Sequence, residues 1–208
     1  VFVAAPGTLL EALGWLALVT MVSGVLGAAY HWDLRRILAF HIVSQIGYLL
    51  LGVALASPAG AAGTAFFLIH NVLVKAQLFL ICGLIWVAAG HHDLRRIGGL
   101  YVARPLLAVL FLIGAFSLVG VPPSSGFWGK LLLVREAFAQ ERIAWGGAAL
   151  GVGLLTLYSM SKIWLEGFWK PHPETNPERA FAHAAPHPAA YLAVLALTVP
   201  IVALGLYP

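Results

Sequence analysis

Lys75 raises the first chemical question. It stands near the middle of an apolar run from Ala61 to Gly90. As a helix that run would extend roughly 45 Å at 1.5 Å per residue, longer than a ~30 Å hydrocarbon core. An ammonium at that depth costs at least ~2.5 kcal/mol on insertion scales unless it faces protein or water. Such a lysine marks a pathway for ions or protons. Snorkelling to the interface is the plainer alternative, and the depth argues against it. Asn71 lies four residues earlier and shares the face of Lys75, so its amide oxygen could hold the ammonium. His70 lies five residues away, about 140° around a regular helix. It reaches that face only through a π-bulge; otherwise it is a ring hydrogen-bonded inside a bundle.

Two other constellations could handle protons. His41, Ser44, Gln45 and Tyr48 fall at i, i+3, i+4 and i+7, one face of an apolar helix. Each of these side chains can donate and accept, so the row could relay protons; equally, it could be a polar seam bonded to a neighbouring helix. His41 is the member whose charge changes nearest neutral pH. Lys130 follows a break at Pro122-Pro123, and interrupted membrane helices are tolerated only around a cavity or inside protein. Lys162 and Glu166, at i and i+4, read as a structural pair at the membrane edge. His91 and His92 have no partner ligands at metal spacing, so no metal site is expected. Cys82 reads as a small core residue, and a single cysteine offers no disulfide framework.

The elements that must position these groups are membrane helices. The 208 residues are 61% hydrophobic and 10% charged, with mean hydropathy +0.92, which excludes a soluble globular domain. The net charge of +4 sits in short loops, as in membrane proteins rather than nucleic-acid binders. Apolar segments are predicted at about 9–30, 37–57, 61–90, 106–119, 125–140, 145–169 and from Pro188 onward, about seven in all. Gly24, Gly27, Ala28 and Ala29 give the first a surface for close packing, and Glu11 is expected at its interfacial entrance. Pro58 and Gly60 should end the second, and Ser124 or Ser125 should cap the helix carrying Lys130. The chain reads as one transmembrane domain, 1–208, with a polar loop at 171–187. It begins with Val1 and shows no signal-peptide pattern ahead of the first apolar run, so a fragment of a longer chain is expected.

One pentapeptide, Asp-Leu-Arg-Arg-Ile, occurs at 33–37 and again at 93–97. Two predicted spans separate the copies, which puts both loops on one side. That side also holds Arg104, whereas the loop at 57–62 carries no charge, so the Arg-Arg loops are expected in the cytoplasm.

Three pieces of the chain resemble a known family. Asp33-Leu34-Arg35-Arg36-Ile37-Leu38-Ala39-Phe40-His41-Ile42-Val43-Ser44-Gln45-Ile46-Gly47-Tyr48 looks like the signature of the antiporter-like subunits shared by respiratory complex I and Mrp-type cation/proton antiporters. His70-Asn71-Val72-Leu73-Val74-Lys75-Ala76-Gln77-Leu78-Phe79-Leu80 is similar to their lysine helix. Gly120 to Lys130, through Pro122-Pro123-Ser124-Ser125-Gly126-Phe127-Trp128-Gly129, resembles the segment with their terminal lysine. With Lys162-Ile163-Trp164-Leu165-Glu166-Gly167-Phe168-Trp169-Lys170-Pro171, the pattern is most similar to the D-type branch of the Mrp antiporters.

The resemblance implies an all-α helix bundle, the second of two inverted five-helix repeats, each with a broken helix. It implies a transporter subunit rather than an enzyme, working in the bacterial plasma membrane. Protons would pass through Lys75 and Lys130, coupled to Na⁺ by a multi-subunit complex, with no organic cofactor. The alternative it leaves open is a proton-pumping subunit of complex I or of a membrane-bound hydrogenase. A passive scaffold is disfavoured by the desolvation cost of the embedded lysines. The chain departs from the pattern twice. His70-Asn71 stands where D-type subunits often have two histidines, and Arg35 where many relatives have lysine, a group able to deprotonate. The first repeat has no counterpart here.

Overall fold

The computed structural model describes residues 7–172, 174 and 187–208, so most of the polar loop expected at 171–187 lies outside the described residues. Helix α1 is Gly7–Tyr30, α2 Leu34–Ala54 and α3 Pro58–Ala89; a short α4, Leu100–Ala103, precedes α5, Pro105–Val119. Then follow α6, Ser125–Ala139, α7, Ile143–Ile163, continued by a π-helical turn at Trp164–Trp169, and α8, Pro188–Leu206. Among the described residues, α1, α2, α3, α7 with its π turn, and α8 are long and apolar enough to cross a membrane. The two other expected segments, α5 and α6, have 15 residues each, about 22 Å, and are the halves of one broken helix.

The helix ends follow local chemistry. Asp33 caps α2, its carboxylate accepting from Arg36 N at 3.1 Å, so α2 starts three residues earlier than its hydropathy suggests. Ser57 caps α3 by accepting from Gly60 N at 3.0 Å, and Pro58 sits in its first turn. The expectation that Pro58 and Gly60 end α2 is therefore corrected: α2 stops at Ala54, and both residues open α3. Gly90 and Gly120 end α3 and α5 in the left-handed conformation, at φ 71° and 88°.

Apolar transfer gives little drive between helices in lipid, so close approach matters more. Gly24 supplies it between α1 and α2, where an added Cβ would fall 2.4 Å from Ser44 N. Glu11 is exposed near the start of α1, its Oε1 3.4 Å from Arg142 Nη1. The apolar interior forms two clusters. One gathers the ends of α2, α3, α5 and α7 nearest the Arg-Arg loops, with α8; the other gathers α1, the far ends of α2 and α7, and α6.

Buried polar residues fall between the two. On α2, His41, Ser44 and Gln45 separate Leu38 of one cluster from Tyr48 of the other. His70 and Asn71 separate Phe67 from Val74 on α3, and Thr156 and Ser159 separate Val152 from Met160 on α7. The fold therefore places one polar layer part-way along its helices.

Candidate proton pathway

Lys75 leaves part of its aliphatic stem exposed on α3, but its Nζ is buried and has no hydrogen-bond partner in this chain. The expected hold by Asn71 is not made. The Asn71 amide turns back along its own helix, Nδ2 donating to Phe67 O at 2.9 Å, and its Oδ1 is also unpaired. No π-bulge interrupts α3 to bring His70 round to Lys75. His70 faces the broken helix instead, with Nδ1 2.9 Å from Ser125 Oγ, which is itself 2.9 Å from Ser117 Oγ. These contacts tie α3 to both halves of the break. Gly126 admits the approach, since a Cβ there would meet Ser117 O at 1.9 Å and His70 Nε2 at 2.9 Å.

Lys130 closes the break from the α6 side. Its Nζ donates to Leu118 O at 2.9 Å and Val119 O at 2.8 Å, the last carbonyls of α5, where a cation also complements the helix dipole. It lies 5.2 Å from the centre of the Tyr48 ring. A cavity of about 330 Å³ lined by Tyr48, Gly120, Pro122, Lys130, Ala149 and other residues opens beside it. Pro122 and Pro123 form the break itself, joined by a cis peptide. Neither Ser124 nor Ser125 makes the expected side-chain cap: Ser124 is the N-cap residue without the bond, and Ser125 is spent on His70 and Ser117.

The row on α2 is buried but its members diverge. His41 Nε2 lies 3.0 Å from Ser159 Oγ on α7, and Tyr48 Oη donates to Ala149 O on the same helix. Ser44 Oγ donates to Met21 O on α1 at 2.9 Å and so leaves the row. Gln45 has no partner at either end of its amide, and His41 Nδ1 and His70 Nε2 are likewise unpaired. Buried polar atoms in folded proteins are nearly always bonded, so these unpaired atoms on α2 and α3 set the polar layer apart from the apolar clusters on either side of it. Lys75, Lys130 and Lys162 all lie within electrostatic reach of His41.

Two contacts escaped the sequence reading. The expected pair of Lys162 and Glu166 is not made; the Glu166 carboxylate binds Lys170, four residues further on, at 2.6 Å. Lys162 Nζ instead donates to Ala29 O and His31 O, both at 2.6 Å. Ser125 and Ser117 carried no signal beyond their place beside the break. Cys82 is buried as expected, its Sγ 3.6 Å from His92 Nδ1. Among the described residues no group of three or more His, Cys, Asp or Glu side chains could hold a metal.

The two Arg-Arg loops lie against each other. Asp33 and Asp93 form an antiparallel bridge, with Leu34 N donating to His92 O and Leu94 N to Trp32 O, both at 2.9 Å. Arg95 donates to the Asp93 carboxylate from Nε at 3.1 Å and Nη2 at 3.0 Å, which holds that carboxyl below its ordinary range.

Comparison with known proteins agrees with this architecture. The family model described as NADH:quinone oxidoreductase/Mrp antiporter, transmembrane, matches residues 1–156. The D-type subunit of the Na(+)/H(+) antiporter of Alkalihalophilus pseudofirmus is 43% identical over 166 residues, 80% of this chain and 34% of that protein. A chain of the Mrp complex from Dietzia sp. superposes with TM-score 0.86 at 37% identity, covering 95% of this chain and 44% of that one. A chain of respiratory complex I from Thermus thermophilus gives 0.76 at 30%, covering 95% and 44%. The chain thus spans about a third of the length of the Alkalihalophilus protein. With the family model matched over residues 1–156, this chain belongs to the membrane family shared by NADH:quinone oxidoreductase and the Mrp antiporters.

Proposed function

We propose that this chain is part of a proton-translocating subunit of a multi-subunit Na⁺/H⁺ antiporter in the bacterial plasma membrane, and that Lys75 and Lys130 carry protons through it. The observation that supports this most directly is the buried, unpartnered Nζ of Lys75 among other unpaired polar atoms. The free Nζ of Lys75 leaves its proton open to exchange, whereas Lys130 must let go of Leu118 O and Val119 O to pass one on. His41 and His70 lie within electrostatic reach of Lys75, Gln45 is one turn from His41, and Tyr48 stands beside Lys130, which continues the route at the break. Ser44 and Asn71, bonded to backbone carbonyls, shape the layer. The likeness to a component of an Na(+)/H(+) antiporter at 43% identity favours Na⁺ as the coupled ion over electron-transfer coupling, for which the complex I chain at 30% is the argument.

Arginine distinguishes a proton carrier from a counter-charge, because it stays protonated at every accessible pH. Lys75→Arg and Lys130→Arg, each in the full-length subunit within its complex, should assemble normally on native gels. Both should nevertheless lose Na⁺/H⁺ exchange in everted vesicles, as should the alanine variants. Exchange at the wild-type rate in Lys75→Arg would refute proton carriage by Lys75.

A further inference from the structure

Lys162 is a largely buried ammonium that the route through Lys75 and Lys130 leaves unused. It sits in the last turn of α7, three residues beyond Ser159, so the two share a face of that helix. Ser159 is fully buried and its Oγ lies 3.0 Å from His41 Nε2. On its other side Lys162 touches the loop at the end of α1, donating to Ala29 O and His31 O at 2.6 Å with the Trp32 ring centre 5.2 Å from Nζ. His31 and Trp32 are also walls of a polar cavity of about 450 Å³, completed by Tyr30, Asp33, Arg36, Asp93 and Arg95 of the paired loops. Lys162 thus stands between that cavity and the buried Ser159–His41 pair.

We propose that Lys162 and Ser159 form the proton inlet from the Arg-Arg-loop side, delivering protons to His41; this rests on the proton-carrying reading above. Neutral Lys162 takes a proton from water in the cavity and becomes the ammonium seen against the two carbonyls. Its four-carbon stem lets it swing towards Ser159. One ammonium N–H then passes its proton to Ser159 Oγ while that hydroxyl releases its own to His41 Nε2. Lys162 is neutral again, Ser159 is unchanged, and His41 is an imidazolium. His41 Nδ1, unpaired, is the exit towards the unpaired amide of Gln45 one turn along α2. Glu166 on its own helix bears on the charge of Lys162, and Lys162 in turn on His41 beyond Ser159; His31, Asp33, Arg36, Asp93 and Arg95 are the titratable and charged groups of the cavity on its other side.

The competing role is a cap on the C-terminus of α1, which needs only a fixed cation with donors. Four variants of the full-length subunit in its complex separate the two: Lys162→Arg, Ser159→Ala, Ser159→Thr and, as a reference, Lys75→Arg. Exchange is read in everted vesicles and assembly on native gels. An inlet requires Lys162→Arg and Ser159→Ala to assemble and to exchange at least about tenfold more slowly, a barrier change of ~1.4 kcal/mol. Ser159→Thr, which keeps the hydroxyl, should recover most of the rate. Wild-type exchange in Lys162→Arg or in Ser159→Ala overturns the inlet. If Lys162→Arg does not assemble, Ser159→Ala decides alone, because it leaves the cap untouched. Inactive Lys75→Arg beside fully active inlet variants refutes only the inlet, whereas active Lys75→Arg refutes the reading on which it rests.

Discussion

At the scale of single residues, Gln45 sets the sharpest contrast between a structural and a transporting role. Both ends of its buried amide are unpaired, and each such group costs about 1–3 kcal/mol when it finds no partner. A polar seam would be improved by exchanging Gln45 for a leucine of similar size, since nothing bonded is lost. A proton route would be interrupted by the same change. Gln45→Leu should therefore leave the thermal stability of the purified complex equal or higher while slowing exchange by about tenfold, ~1.4 kcal/mol of barrier. Unaltered exchange would return the α2 row to a packing role. Position on the helix was readable from the spacing of His41, Ser44, Gln45 and Tyr48; the partners were not. Ser44 bonds α1 and His41 bonds α7, 118 residues away in sequence, and no local pattern encodes such a meeting.

At the scale of elements, helices were legible where hydropathy and punctuation agree and less so where a cap overrides hydropathy. Asp33 and Ser57 each move a helix start by about one turn, because a side-chain acceptor for free N–H groups is worth ~1 kcal/mol. The π turn at Trp164–Trp169 had no visible signal, and Glu166 within it pairs with Lys170 while Lys162 turns to the end of α1. The small-residue surface of α1 was readable, and its consequence is measurable. The Cβ of Gly24→Ala would fall 2.4 Å from the Ser44 backbone nitrogen, which cannot move aside as a side-chain tip could. Overpacking of this kind costs typically ~1–3 kcal/mol. Gly24→Ala should lower the melting temperature of the purified complex and push α2, with Ser44 and Gln45, away from its place in the polar layer. A melting temperature equal to wild type would mean that α1 and α2 do not pack this closely.

At the scale of the whole molecule, the repeated pentapeptide carries the most information for its length. Two copies separated by two membrane helices must lie on the same side, and the bridge between Asp33 and Asp93 shows them side by side. Which side that is follows from charge alone. Arg35, Arg36, Arg95, Arg96 and Arg104 gather there, and the connection between α2 and α3 at the other end has no charged residue. The inlet drawn from Lys162 opens on the same face, so orientation decides which compartment supplies its protons. Arg35 and Arg96 are exposed, and neither makes the backbone bridge, so cysteines at Arg35→Cys and Arg96→Cys should not disturb the fold. Exposed Ala59, at the start of α3, serves for the opposite side as Ala59→Cys. Cys82 is buried and should not compete for the reagent. In intact cells a membrane-impermeant thiol reagent should label Ala59→Cys and neither arginine position; in everted vesicles the pattern should reverse. Labelling of Arg35→Cys or Arg96→Cys from outside intact cells would invert the molecule in the membrane and place the Lys162 inlet on the wrong side for proton uptake from the cytoplasm.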